Sequence, residues 1–419
     1  MFVEHLHLPS VGAPLFSIMV YQLRQYQQEA SDAAVRFFKE PSEERHNGLI
    51  ILPTGAGKSL VIADIASKIN EPLLILQPNK EICEQNVAKY SSYGFPCGVY
   101  SASMGMKTIC PVTFAMIGSV MNHLASFSIF KKIIIDECHY VNPREGQYKQ
   151  FLDAVEGRQV VGLTATPYRL SQTVDPKTIK SKWPKYGSIL KFLTRTRPRV
   201  FDKVLYYCQV KTLLDAGYLA NLRYFDLNAL NLDNVKLNST GADYDDKSLS
   251  KEFQRVGFYH RTLDVVKRVM RPKDGWKRNG IIVFVRFVED AERLAEDLMG
   301  FCEVVSGTTP KKEREAILQR FKSGETEVIA NVGILTTGFD FPALDTIILA
   351  RPTMSLALYY QMVGRAIRPY EGKDGWVVDL CGSISKFGKV EDLTIEVEGQ
   401  EKWIITSNGK QLTNKLFTK

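Results

Sequence analysis

The chain has 419 residues, 45% of them hydrophobic, which is ample for a packed core and too long for one ordinary domain. Its net charge of +8 is compatible with a polyanionic partner without requiring one. The seven cysteines form no C-x-x-C pair and are odd in number, which argues against a zinc ribbon and a disulfide framework, and no apolar run reaches the length of a membrane span.

Residues 1–20 read as an N-terminal extension; they open with Glu4 and lack the basic run of a secretion signal. From 21 to 170, short β-branched runs at 48–52, 73–77, 132–137 and 160–164 predict buried parallel strands. Helices are predicted between them at 59–68 and 80–93, so this is a doubly wound lobe. Residues 171–204 break the pattern and predict a basic insertion, and 205–250 read as a polar connector. Alternation resumes over 251–385, with strands at 280–285, 302–307, 327–331, 345–350 and 376–380 and helices at 288–299 and 311–322. Residues 386–419 form a short C-terminal segment. The predicted class is α/β: two doubly wound parallel-sheet lobes with a basic insertion between them.

"LPTGAGKS" (52–59) follows a strand and opens a helix, which is the setting of a phosphate-binding turn. Pro53, Thr54, Gly55, Ala56 and Gly57 form the turn, Lys58 supplies charge to the phosphates, and Ser59 offers a hydroxyl to Mg²⁺. The strand "IIID" then ends in two acids. Asp136 is placed to hold Mg²⁺ and Glu137 to polarise the attacking water. The combination points to ATP as substrate. In the second lobe "QMVGRAIRP" puts Arg365 and Arg368 on one helical face, with Gln361 a turn earlier, and an arginine acting on a γ-phosphate is worth roughly 10³–10⁵ in rate.

These residues resemble superfamily 2 helicases from Leu23 to about Leu380, and that resemblance implies RecA-like lobes. "LRQYQQEA" is similar to the motif in which Arg24 packs on adenine and Gln27 reads its edge. "DECH" and "TATP" resemble motifs II and III, which implies a coupling role for His139, Thr164 and Thr166. "TTGFD" resembles motif V, in which Gly338 and Asp340 approach the nucleotide and Thr336 and Thr337 approach the nucleic-acid backbone. Asn79, Lys80 and Arg286 are further backbone candidates by the same resemblance, against a reading as ordinary capping and loop polarity. Finer resemblance points to the RadD-like branch of bacterial and phage DNA-repair helicases. Those bacterial members carry a C-terminal cysteine cluster that this chain lacks, so it resembles a minimal, phage-encoded recombination helicase.

The resemblance implies an ATP-dependent DNA helicase that unwinds or branch-migrates forks and junctions, using Mg²⁺, in recombination, repair or replication. The competing readings are an RNA helicase and the motor of a restriction or nuclease complex. The implied partners are single-stranded/duplex DNA junctions and recombination or replication proteins, with no membrane and no structural zinc. The chain is expected to be a monomer in the cytoplasm of a bacterial host. Finally, 171–204 carries nine Lys or Arg against two Asp, nearly the whole excess charge of the chain. Lys180, Lys182, Lys185, Arg195 and Arg197 are candidates for phosphate contacts there, and Trp183, Tyr186 or Phe192 for base stacking, against a reading of the aromatics as a small local core.

Overall fold

The computed structural model describes residues 22–40, 47–155, 158–174, 186–273, 275, 277–336, 338–399 and 401–417. The chain divides into two compact units. The first takes its described residues from 1–167, 193–208 and 399–402; the second takes them from 168–192, 209–398 and 403–419.

The first unit is built on strands β1 (Asn47–Ile51), β2 (Leu73–Gln77), β3 (Gly98–Ser101), β4 (Met106–Lys107), β5 (Val112–Met116), β6 (Lys132–Asp136) and β7 (Gln159–Thr164). Strands β8 (Tyr168–Val174) and β9 (Tyr186–Phe192) leave this unit, and β10 (Lys203–Tyr207) returns to it. Its sheet runs β10-β1-β7-β6-β2-β5-β3-β4, with only the last pairing antiparallel. Strands β2 and β6 are buried at every position, because helices cover a parallel sheet on its faces and leave no polar alternation. Helices α1 (Gln25–Lys39), α2 (Lys58–Lys68), α3 (Lys80–Ser92) and α4 (Gln147–Ala154) belong to this unit.

The second unit holds a fully parallel sheet, β11-β16-β15-β12-β14-β13. These strands are β11 (Leu222–Asp226), β12 (Ile281–Val285), β13 (Cys302–Val305), β14 (Val328–Asn331), β15 (Thr346–Ala350) and β16 (Gly375–Asp379). Near the C-terminus β17 (Leu393–Glu398), β18 (Lys402–Ser407) and β19 (Lys410–Gln411) form a small sheet, and β20 (Leu416–Phe417) pairs with β9.

Two segment expectations change. The stretch 171–204 is not one insertion: β8 and β9 form an antiparallel hairpin within the second unit, whereas 193–204 lies in the first unit and leads into β10. Nor is 205–250 only a connector, since it holds β11 and opens the helix Asp246–Val256. Both β10 and β11 are edge strands, the first mostly half-buried and the second mostly exposed, so neither carries the continuous apolar run that marks a central strand. The aromatic Phe192 is fully buried, its ring 6.3 Å from that of Trp403 and nearly parallel to it, which is the local-core reading rather than a stacking platform. Lys180, Lys182, Trp183 and Lys185 lie outside the described residues, as does the whole of 1–20; the side chain of Tyr186 is likewise not described.

Candidate active site

The glycine-rich turn joins the C-terminal end of β1 to α2. The Leu52 amide donates to the Thr164 carbonyl at 3.1 Å and ties this end of β1 to β7. Gly55 and Gly57 take φ of 84° and 79°, where only glycine sits without strain. At Gly57 a side chain is excluded a second way, because a Cβ would meet Nε2 of Gln27 at 2.5 Å. No side chain caps α2, so its first N–H groups and its dipole face whatever the turn holds. The cradle therefore fits a phosphate chain.

Gln27, 4% exposed, binds the turn itself. Its Nε2 donates to the Ala56 carbonyl at 2.8 Å, its Oε1 accepts from the Arg24 amide at 3.0 Å, and the Tyr26 hydroxyl donates to the same Ala56 carbonyl at 2.9 Å. Both polar ends of Gln27 are thus engaged within the chain, where the resemblance assigned them to adenine.

The two acids diverge sharply despite being neighbours. Asp136 ends β6 almost fully buried; it accepts from Asn86 Nδ2 at 2.8 Å and from the Glu137 amide at 2.9 Å. Burial, helped by the charge of Glu137, pushes its pKa up to about 6 against the opposing pull of Lys58 and Asn86. Glu137 sits at φ 50°, a left-handed conformation costing an ordinary residue on the order of 1–3 kcal/mol. That turn aims its carboxylate at Lys58 Nζ, 3.3 Å away. Burial alone would raise Glu137, but the Lys58 ammonium and the His139 hydrogen bond outweigh it and hold the pKa near 2. Two carboxylates driven apart in this way are suited to different tasks.

The network continues beyond Glu137. His139 Nδ1 lies 3.3 Å from Glu137 Oε2 and 2.9 Å from the Thr164 hydroxyl, which accepts the Thr166 amide at 3.0 Å. Lys58, Glu137, His139, Thr164 and Thr166 therefore form one connected polar chain, although they come from three separate stretches of sequence. Ser59 follows Lys58 on the first turn of α2, half-buried.

In the second unit Arg365, 6% exposed, donates to the carbonyls of Phe339 at 2.5 Å and Thr336 at 2.7 Å. It braces the loop that carries Gly338 (φ 74°). Arg368 pairs with Asp340, and Lys373 supports it by donating to the Arg368 and Pro342 carbonyls, each at 2.8 Å. Burial brings the Lys373 pKa down to about 7. Gln361 lies half-buried on the helix Leu356–Val363. Thr337 lies outside the described residues.

Three nucleic-acid candidates have structural employment. Asn79 caps α3 by accepting the Ile82 amide at 2.9 Å, and Lys80 pairs with Glu84 at 3.0 Å. Arg286 is held between Asp243 at 2.9 Å and Asp246 at 2.7 Å. Arg195 is half-buried and Arg197 exposed, both in the first unit. Asn86, Tyr26 and Lys373 were missed by motif reasoning. For Asn86 the available signal was a polar residue on the buried face of α3.

Among the described residues no cluster of three or more His, Cys, Asp or Glu is placed to hold a metal, and no helix is long and apolar enough to cross a membrane.

Two family descriptions match the chain: "Type III restriction enzyme, res subunit" over residues 20–169 and "Helicase conserved C-terminal domain" over 263–370. Among curated proteins, IRC3 of Saccharomyces cerevisiae is 26% identical across 87% of this chain and 52% of its own length. The "DNA 3'-5' translocase XPB2" of Sulfurisphaera tokodaii is 26% identical across 90% of this chain and 85% of its own. The chain thus spans about half the length of the first of these relatives. A solved structure, "ATP-dependent Type ISP restriction-modification enzyme LlaBIII bound to DNA", aligns with TM-score 0.61 at 18% identity over 85% of this chain and 27% of that one, a likeness of fold.

Proposed function

The chain belongs to the superfamily 2 helicases, and on that premise we propose that it couples ATP hydrolysis to movement along DNA, unwinding or branch-migrating forks and junctions. The observation that carries the hydrolytic half is the connected chain Lys58–Glu137–His139–Thr164–Thr166 beside a glycine cradle. Support for DNA comes from the XPB2 relative, described as a DNA translocase, and the RadD-like placement rests on the motifs alone. A restriction-complex motor is the second reading, favoured by the family description matched over 20–169.

In this reading Gly55–Ser59 would hold the phosphate chain, and Ser59 and Asp136 would hold Mg²⁺, which would supply Lewis-acid charge there. Glu137 takes the proton of the attacking water. With Lys58 at 3.3 Å it is a poor base, because that ammonium holds its pKa near 2. A phosphate that drew Lys58 away would remove that stabilisation and raise the proton affinity of Glu137. His139 and Thr164 report the same event to the Thr164–Thr166 segment, immediately before the hairpin β8–β9. Of the two arginines, we assign the transition-state charge to Arg368, which pairs with Asp340, while Arg365 braces the Thr336–Phe339 loop.

ATP hydrolysis by the wild type, Lys58→Ala and Glu137→Gln is measured with single-stranded DNA, duplex DNA or RNA, beside unwinding of forks, four-way junctions and 3′- or 5′-tailed duplexes. DNA should stimulate hydrolysis more than RNA, and both variants should be inactive. DNA-stimulated hydrolysis surviving in either variant sinks the site, and stronger stimulation by RNA sinks the substrate.

A further inference from the structure

At the opposite end of the first unit's strands from Lys58 and Glu137 lies a separate cavity of 210 Å³. It opens where β1, β7 and β10 begin, about 15 Å of strand away from their C-terminal ends. Its charged lining is Lys149 and Asp153 of α4, Arg158 just before β7, and Arg199 and Asp202 before β10.

Arg158 is the anomaly. It is 7% exposed, yet neither Nε nor Nη1 has a hydrogen-bond partner, so three N–H donors are buried without an acceptor. The guanidinium carbon lies 5.9 Å from the centre of the Phe151 ring, which accepts no ordinary hydrogen bond. Burial brings its pKa down to about 10, so it stays cationic at neutral pH. The two carboxylates of the cavity have partners other than Arg158: Asp153 pairs with Lys149 at 2.5 Å within the lining, and Asp202 accepts the Asn47 amide at 3.1 Å. A buried, unpaired charge is costly, and a fold retains one where an anion completes it.

We propose that this cavity is a second oxyanion site, which takes a phosphate group on Arg158 with Arg199 and Lys149 at its rim. The guanidinium's fixed donors suit phosphate oxygens, and the volume exceeds that of several waters at roughly 30 Å³ each. The group is either free inorganic phosphate or a phosphate of a nucleic-acid strand end. This site is independent of the helicase reading, because none of its residues belongs to the nucleotide cradle.

The test titrates inorganic phosphate calorimetrically into the full chain carrying Lys58→Ala, which removes the lysine of the first phosphate site. That protein should bind phosphate, and adding Arg158→Gln should weaken binding at least about tenfold. Phosphate should raise the unfolding temperature of the Lys58→Ala protein but not of Lys58→Ala with Arg158→Met. Arg158→Met keeps the bulk without the charge, and it serves for binding too if Arg158→Gln fails to fold. Parallel titrations with 5′-phosphorylated and 5′-hydroxyl oligonucleotides distinguish the sources: a preference for the phosphorylated strand that Arg158→Gln abolishes assigns the site to strand ends, and no preference assigns it to free phosphate. Phosphate binding untouched by Arg158→Gln overturns the proposal, as does acetate binding equal to that of phosphate, which would mark a carboxylate-docking surface.

Discussion

Asn86 offers a sharp test of how the acid pair is organised. Its Nδ2 donates to Asp136 Oδ2 at 2.8 Å while its own Oδ1 is buried without a partner, so the residue is there for the aspartate and not for packing. Asn86→Leu keeps a similar volume and removes the unsatisfied oxygen together with the bond, so the fold should survive. The site should not. A hydrogen bond to a charged group is worth about 1.5–3 kcal/mol, and losing it raises Asp136 further above a value already pushed up to about 6. The sign follows directly. An acid raised in the folded state must be deprotonated before it can bind a cation, so activity falls as pH drops through that value and the acid limb moves upward in the variant. At neutral pH the apparent affinity for Mg²⁺ should weaken by roughly tenfold to a hundredfold. The assay is ATP hydrolysis at fixed ATP across a Mg²⁺ titration, repeated from pH 5.5 to 8.5 (about half a unit below Asp136 to well above it). A lower rate with an unchanged Mg²⁺ midpoint and an unmoved acid limb would refute the reasoning and return Asn86 to a packing role.

Gly57→Ala places a methyl 2.5 Å from Gln27 Nε2 in a left-handed residue; thermal unfolding should show a loss of about 1–2 kcal/mol, with weakened nucleotide binding. Arg365→Ala and Arg368→Ala should part company. The first loses two buried bonds to carbonyls and about 2–4 kcal/mol of stability, whereas the second should keep its fold and its ATP affinity but lose turnover by 10³ or more, on the order of an arginine finger. Equal thermal stabilities would refute the division of roles. For DNA, Arg195→Ala with Arg197→Ala should flatten the dependence of log affinity on log salt by about 1.4 on single strands if both contact phosphates. An unchanged slope returns them to ordinary surface charge.

What could be read without coordinates was the part encoded locally. A glycine turn after an apolar strand and an acid pair ending another are each complete within eight residues, and Lys58, Asp136, Glu137, His139 and Thr164 come together in one network. The edges of the sheets were illegible for a physical reason: an edge strand has one unpaired side and partial burial, so β10 and β11 lack the continuous apolar signature of β2 or β6 and read as connector. The same weakness merged 171–204 into one segment, when it is a hairpin in one unit followed by a lead-in strand of the other.

Roles that depend on tertiary neighbours were a different kind of blind spot. Arg286 was proposed by resemblance and Arg365 from its helical spacing, and carboxylates of Asp243 and Asp246 hold one while backbone carbonyls hold the other. Arg158 shows the reverse: an unremarkable arginine in the sequence becomes conspicuous only once its donors are seen to be buried and unanswered. A cation's partner decides its function, and partners that lie far apart in the chain leave no mark on spacing. The charges of 171–204 should therefore be judged separately in each unit. Arg195 and Arg197 stand in the first with the nucleotide cradle, whereas Lys191 rides on a hairpin of the second. Grouped by sequence they make one basic patch; grouped by fold they belong to two bodies, and a salt-dependence measurement on each set separately tells which of them holds the strand.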